Sequence, residues 1–164
     1  MFGGIKKGAL AIIVAGACIL GTSAFAATIP SPVGAVNDYT NTLSQSQIAE
    51  LNKGLKLLRD RKNSLQFVIA VVPNMQGEDI KPYANQMFHE WGIGKKGEDK
   101  GLLLVVAKTE RKVRFETGYG LEGTLPDMVS AGIIRMFGPK LSAGDYFAAF
   151  NIAIKEIGLI TNKN

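Results

Sequence analysis

The sequence predicts a single α/β domain with a small mixed sheet, in which a β-α-β unit is extended by one antiparallel hairpin strand and helices cover both faces. Three observations predict this fold class. The chain has 164 residues, of which 46% are apolar, and this length suits one packed domain better than two. Short apolar runs, typical of strands that are buried on both faces, alternate with segments of helical periodicity. The last apolar run is followed closely by an alternating segment, which is typical of a hairpin.

The first 26 residues predict an export signal. Lys6 and Lys7 form a charged n-region, residues 9–20 form an apolar segment, and residues 24–26 (AFA) provide a small-x-small cleavage site. We therefore expect a periplasmic or secreted protein. The alternative is an uncleaved segment that anchors the protein in the inner membrane, because residues 8–29 carry no charge.

Loss of this signal peptide limits the chemistry of the mature chain. Cys18 is the only cysteine, so cleavage would exclude thiol catalysis, disulfides and cysteine-ligated zinc. Cleavage would also lower the formal net charge from +5 to +3, because Lys6 and Lys7 are removed. The remaining cations alternate with acids instead of clustering beside aromatic residues, so no nucleic acid partner is expected. His89 is the only histidine and is expected to be a solvated surface residue of a helix.

The mature chain begins with an extended segment and a helix. Residues 27–35 contain two prolines and are expected to be an extended leader, which makes residues 36–164 the domain. Ser44 and Gln47 form a capping box, which predicts the start of the first helix. Its buried face follows at helical spacing and consists of Ile48, Leu51, Leu55 and Leu58.

Three strands and three further helices follow. Residues 65–72 (LQFVIAVV) predict a buried strand, and a second helix begins near the acidic residues 78–79. Residues 101–107 (GLLLVVA) and 112–117 (KVRFET) predict the two strands of an antiparallel hairpin. Helical segments at residues 126–137 and 143–160 complete the predicted order α-β-α-β-β-α-α.

Residues 92–97 (GIGKKG) fit the G-x-G-x-x-G pattern of dinucleotide-binding loops. Such a loop must follow a strand and open a helix, so that free helix amides face the pyrophosphate. Here the glycines follow a helix and precede a strand. We therefore interpret Gly92 or Gly94 as a helix C-cap and expect no nucleotide.

Acidic residues gather at one edge of the predicted sheet. Because the two hairpin strands are antiparallel, Asp99 at the start of the first strand and Glu116 at the end of the second lie at the same edge. Residues 118–127 (GYGLEGTLPD) leave that edge and add Glu122 and Asp127. Carboxylates and loop carbonyls are the ligands that Ca²⁺ takes. The alternative is that Asp127 only begins a helix and that Asp99 pairs with a neighbouring lysine.

An ordered series of motifs resembles the TPM-domain family from about Val36 to about Ile157. The motifs are VNDY (36–39), GEDI (77–80), WGIG (91–94), KGEDKGLLLV (96–105), RKVR (111–114) and GYGLEGTLPD (118–127). The resemblance implies an α/β/α sandwich outside the cytoplasm, usually tethered to or working near a membrane. Relatives include many bacterial envelope proteins and a thylakoid-lumen protein associated with photosystem II repair that acts as an acid phosphatase.

The resemblance also implies a Ca²⁺ site. By motif position its ligands fall on Asp38, Asp99, Glu122 and Asp127. Asp38 precedes the first helix, which should start at the opposite edge of the sheet from the other three acids unless the leader crosses back.

These observations lead to one functional hypothesis and two alternatives. We expect an exported binding or accessory module for envelope or membrane proteins that carries an acidic Ca²⁺ site. The first alternative is a weak metal-assisted acid phosphatase that uses the same carboxylates, for which no catalytic residue is assigned. The second alternative is a metal-free protein-binding domain. Contact with a membrane is expected only through an uncleaved N-terminal segment.

Overall fold

A four-stranded mixed sheet organises the computed structural model, which describes residues 27–61, 64–94 and 99–162. The strands lie side by side in chain order as β1 (Val36–Asp38), β2 (Gln66–Val72), β3 (Gly101–Ala107) and β4 (Lys112–Thr117). The first three are parallel, and β4 is antiparallel to β3. The predicted β-α-β unit and its hairpin strand are therefore confirmed. The predicted signal peptide, residues 1–26, lies outside the described residues.

Helices cover both faces of this sheet, as predicted for an α/β/α sandwich. The four helices are α1 (Gln45–Arg59), α2 (Ile80–Glu90), α3 (Asp127–Ser142) and α4 (Tyr146–Thr161). Helices α1, α3 and α4 pack in one apolar cluster on one face, and α2 packs in a second cluster on the other face. Among the described residues, no helix is both long and apolar enough to cross a membrane.

The two central strands are apolar on both faces. On β2, Phe67, Ile69 and Val71 face the helices α1, α3 and α4, whereas Val68 and Ala70 face α2. Strand β3 alternates in the same way, and all seven of its residues are buried. Because neither strand has a polar side, each face requires a helical cover.

Strand β1 was not predicted, because the expected order began with a helix. Its three residues pair with β2 in parallel, with Val36 opposite Ile69 and Asp38 opposite Val71. The middle residue, Asn37, is fully buried, which hides the strand from an analysis of apolar patterns. Its side chain accepts from the amide of Val33 at 2.7 Å and donates to the carbonyl of Ile69 at 3.2 Å, so its burial leaves no polar group unmatched.

The leader, residues 27–35, contains no helix or strand and is docked on the domain. Ala27 is only 4% exposed and belongs to the apolar cluster under α2. Four side chains hold the leader by its backbone, through bonds from Gln86 to Ala27 O, from Gln76 to Thr28 O, from Trp91 to Pro30 O and from Tyr39 to Ser31 O. Three of these four contacts join residues 48 to 61 positions apart, so local sequence pattern does not reveal them.

Helix α3 continues beyond its predicted end at Phe137 and runs through Gly138 and Pro139 to Ser142. Pro139 lacks an amide donor, which removes one helical hydrogen bond. Phe137 is fully buried, and Leu141 packs against the same cluster one turn later. This packing keeps the segment helical despite the proline.

The loop between β1 and α1 is held by the carboxylate of Asp38. Its Oδ1 accepts from the amide and the hydroxyl of Thr40 at 2.9 and 2.7 Å, and its Oδ2 accepts from the amides of Thr42 and Leu43, both at 2.7 Å. Burial raises the pKa of Asp38, but the hydrogen bonds from Leu43, Thr40 and Thr42 together outweigh it, and the net pKa is lowered. The loop leads directly into the predicted capping box, which the structure confirms at Ser44.

Asp38→Asn is expected to destabilise the domain by about 1–3 kcal/mol at neutral pH, because the new amide group places N–H donors against backbone N–H donors. Since the folded pKa of Asp38 is lowered, its stabilisation is complete above the ordinary value of 3.8 and is lost as the pH falls through the folded pKa. The difference in unfolding free energy between the wild type and the variant should therefore shrink below about pH 4.

Urea unfolding at several pH values measures this difference. Asp60→Asn is the matched control, because Asp60 forms an exposed ion pair with Lys56, and its loss should change stability by less than about 0.5 kcal/mol. Equal losses in both variants, or a loss at Asp38 that does not depend on pH, would contradict the structural role of Asp38.

Candidate functional site

The start of β3 and the end of β4 meet in a tight backbone junction. The amide of Gly118 donates to the carbonyl of Gly101 at 2.8 Å. A Cβ atom on Gly118 would lie 2.2 Å from the backbone oxygen of Asp99, so a larger residue would force the backbone to move. Asp99 has a φ of +49°, in the left-handed region that non-glycine residues rarely adopt. The structure thus brings the Asp99 backbone against the start of the 118–127 loop, as the antiparallel hairpin predicts.

The glycines before β3 belong to the same junction. Gly92, with a φ of +63°, ends α2, and Ile93 N closes the helix end by donating to Phe88 O at 3.2 Å. Gly94 donates its amide to Gln66 Oε1 at 2.9 Å, and a Cβ on Gly101 would lie 2.8 Å from the Gly94 nitrogen. The interpretation of Gly92 as a C-cap is confirmed, and the glycine motif terminates a helix rather than opening one.

A cavity of about 350 Å³ lies between the end of β4 and the start of α3. Three acidic residues line it, Glu116 from the strand, Glu122 from the loop and Asp127 from the helix. The hydroxyl-bearing residues Thr117 and Ser130 line it too. Glu122 and Asp127 therefore line the same cavity.

The three acids of this cavity differ in their environments. Glu116 accepts from Arg114 Nε and from Asn85 Nδ2, both at 3.0 Å, so its charge is already matched. Glu122 and Asp127 are exposed. Asp127 is also the first residue of α3, where a negative charge is favourable at the positive end of the helix dipole. Its role in starting the helix and a role in binding are compatible.

The other two predicted site residues lie elsewhere. Asp99 is exposed and contacts the loop through its backbone, and it is not among the residues that line the cavity. Asp38 is the last residue of β1 and lies at the opposite end of the strands, where the chain leaves β2 after Val72. Grouping Asp38 with the other acids is therefore wrong, because strand direction separates it from them and both its oxygens already serve the loop before α1.

The oxygen groups of the cavity fit part of a calcium site. Two exposed carboxylates and two hydroxyl groups are hard oxygen donors, and Ca²⁺ readily completes such a set with carbonyls and water. Within residues 27–61, 64–94 and 99–162, no three histidine, cysteine, aspartate or glutamate side chains are close enough to hold a metal ion together. Glu98, the residue before Asp99, lies outside the described residues. The described donors therefore suit a weak, partly hydrated Ca²⁺ site better than a closed cage.

Two exposed apolar side chains in this region were missed by the sequence analysis. Tyr119 is 81% exposed in the short 3₁₀ helix Tyr119–Leu121, and Met128 is 82% exposed in the first turn of α3. Leu121 and Leu125, between them, are buried and anchor the loop to the core. Hydrophobicity alone does not separate the two exposed side chains from the two buried ones. Helical phase could have found Met128, because it lies off the apolar stripe of α3.

Solved structures of three bacterial proteins resemble this chain. The N-terminal domain of a protein from P. gingivalis is 29% identical, with a TM-score of 0.71 over 79% of this chain and 82% of that chain. The BA42 protein from the psychrophilic bacterium Bizionia argentinensis is 13% identical, with a TM-score of 0.65 over 76% of this chain and 85% of that one. The N-terminal domain of the cg2496 protein from Corynebacterium glutamicum is 20% identical, with a TM-score of 0.58 over 80% and 84% of the two chains.

Curated proteins give no match. A family model does match, and its description is the TPM domain, with the label TPM phosphatase. The match runs over residues 36–159, from the first residue of β1 almost to the end of α4, and includes the whole sheet and the loop that carries Glu122. This chain belongs to the TPM-domain family.

Proposed function

We propose that the protein is an exported binding or accessory module for envelope or membrane proteins. Its binding surface consists of the 118–127 loop and the first turn of α3. The observation that carries this proposal is the exposure of Tyr119 and Met128, two large apolar side chains on the segment that borders the acidic cavity. Tyrosine and methionine are enriched in protein interfaces because they bury a large apolar area.

The position of the leader is consistent with this surface. Ala27 lies against α2, on the opposite face of the sheet from α3. A signal segment that remained uncleaved before Ala27 would therefore attach on the α2 side and would leave the first turn of α3 accessible. Export itself is supported by the sequence pattern of residues 1–26.

A calcium ion bound to Glu122 and Asp127 is the second part of the proposal. These two exposed carboxylates line one cavity with the hydroxyl groups of Thr117 and Ser130. An ion between them would link the loop to the start of α3 and reduce the freedom of the segment that carries Tyr119 and Met128. We assign the ion to these residues and not to Asp38, whose oxygens are occupied by backbone donors.

The enzyme alternative is a metal-assisted phosphatase at the same carboxylates, and the label of the matching family model favours it. The single histidine, His89, is exposed on α2 and packs edge-on against Phe88, so it offers no base at the cavity. A role in binding is therefore proposed ahead of a phosphatase activity. Hydrolysis of a simple phosphate monoester that requires added metal and both cavity carboxylates would reverse this order.

Ca²⁺ is expected to raise the thermal unfolding midpoint of the purified protein, since a ligand at about a hundred times its Kd adds about 2.7 kcal/mol. Mg²⁺ should have a smaller effect because it gives up water reluctantly. Glu122→Gln and Asp127→Asn should each remove most of the rise. Glu50→Gln, on the exposed side of α1, is the control and should retain it. An equal response to Mg²⁺, or a full response in both cavity variants, would contradict the site.

A photoreactive amino acid placed at Tyr119 or Met128 is expected to form a covalent adduct with the same envelope protein in intact cells. Leu57 on α1, which is 62% exposed, is the matched control position and should give no such adduct. Adduct formation is measured by mass spectrometry after purification. The same adducts from position 57, or none from either loop position, would contradict a binding role of this surface.

A further inference from the structure

Strand β4 is an open edge of the sheet. It pairs with β3 on one side, and the described part of the chain places no strand on its other side. Four consecutive residues of β4, 114–117, line one side of the cavity, and the loop before α3 and the first turn of α3 line its other side. Open edges are sites where a further strand can add.

The backbone groups that face this open edge follow from the register. Gly118 donates to Gly101, and the hydrogen-bonded pairs of the hairpin then alternate along it, so Arg114 and Glu116 exchange bonds with β3. The intervening residues Val113, Phe115 and Thr117 direct their N–H and C=O groups outward. An added strand would therefore bond to these three residues.

The side chains along the edge carry charges of opposite sign in a self-complementary arrangement. Arg114 and Glu116 point to the α2 side of the sheet, where Arg114 Nε donates to Glu116 and the two side chains are 27% and 14% exposed. The two terminal amino groups of Arg114 remain to make further contacts. An arginine and a glutamate two residues apart on one strand can meet their counterparts on an identical antiparallel strand.

We propose that β4 pairs with β4 of a second copy of this chain, antiparallel, with Phe115 opposite Phe115. This register bonds the outward groups of Val113 to those of Thr117, and it sets Arg114 of each copy opposite Glu116 of the other. Two four-stranded sheets then form one continuous sheet across a two-fold axis.

The neighbouring registers that satisfy the same backbone groups are disfavoured by charge. A shift in one direction sets Arg114 opposite Arg114, and a shift in the other direction sets Glu116 opposite Glu116. Like charges directly opposite each other are destabilising in antiparallel sheets. Only the register centred on Phe115 gives two attractive pairs without a repulsive one. The opposite charges on this edge thus favour one antiparallel register. Charges of a single sign would instead disfavour every register.

Sedimentation velocity over a range of protein concentrations tests this interface. The wild type is expected to shift from monomer to dimer as the concentration rises. Arg114→Glu and Glu116→Arg should each weaken dimerisation at least about tenfold, because each substitution sets like charges opposite one another. An equimolar mixture of the two variants should dimerise again, since the charges of the two chains are then complementary. Circular dichroism of each variant establishes that it is folded.

Val113→Pro provides a second test that does not depend on charge. The amide of Val113 points to the open edge, where proline is tolerated, so the fold should persist while one intermolecular bond and the close approach of the second strand are lost. A wild type that stays monomeric at all concentrations overturns the proposal. Dimers that survive Val113→Pro, or variants whose mixture fails to associate, also overturn it. The proposed Ca²⁺ ligands Glu122 and Asp127 line the same cavity as residues 114–117, but none of these dimer variants alters them.

Discussion

The fold depends on the burial of β2 and β3 on both faces. These paired parallel strands have no polar side, so the chain must supply helices above and below them. Helix α2, between the two strands, covers one face, and α1, α3 and α4 cover the other. The remaining strands, β1 and β4, form the two edges of the sheet. The central layer of the sheet is therefore apolar, and the polar groups that a ligand could contact lie outside it.

This division accounts for the separate roles of the acidic residues. Asp38 lies where β1 and β2 end. Its carboxylate accepts hydrogen bonds from backbone amides and holds the loop that leads into α1. The junction of Asp99 and Gly118 lies at the opposite ends of the strands, where β3 starts and β4 ends. The loop that follows it contains Glu122 and leads to Asp127, and both residues line an accessible cavity. The carboxylates of Asp38 and Asp127 both belong to motifs of the family, but that of Asp38 already accepts four hydrogen bonds and that of Asp127 is exposed to a ligand.

The sequence was informative where local physics determines the structure. The apolar runs of β2 and β3, the capping box at Ser44 and the antiparallel hairpin of β3 and β4 are all confirmed. The features that the sequence analysis did not predict depend on contacts between residues that are distant in sequence. Strand β1 has only three residues and hides a buried asparagine, and the leader is held by side chains from α2 and its flanking segments. Asp38 was misplaced because its motif specifies a residue type and not an edge of the sheet.

The central claim is that ligands act at the edge formed by the 118–127 loop and α3, and that Asp38 is structural. The most direct measurement is a Ca²⁺ titration of the ¹⁵N-labelled protein followed by amide chemical shifts. Saturable shifts are expected at residues 117–130, including Glu122 and Asp127, with little change at Thr42 or Leu43. The largest shifts at residues 38–43, or no saturable shift at residues 117–130, would contradict it.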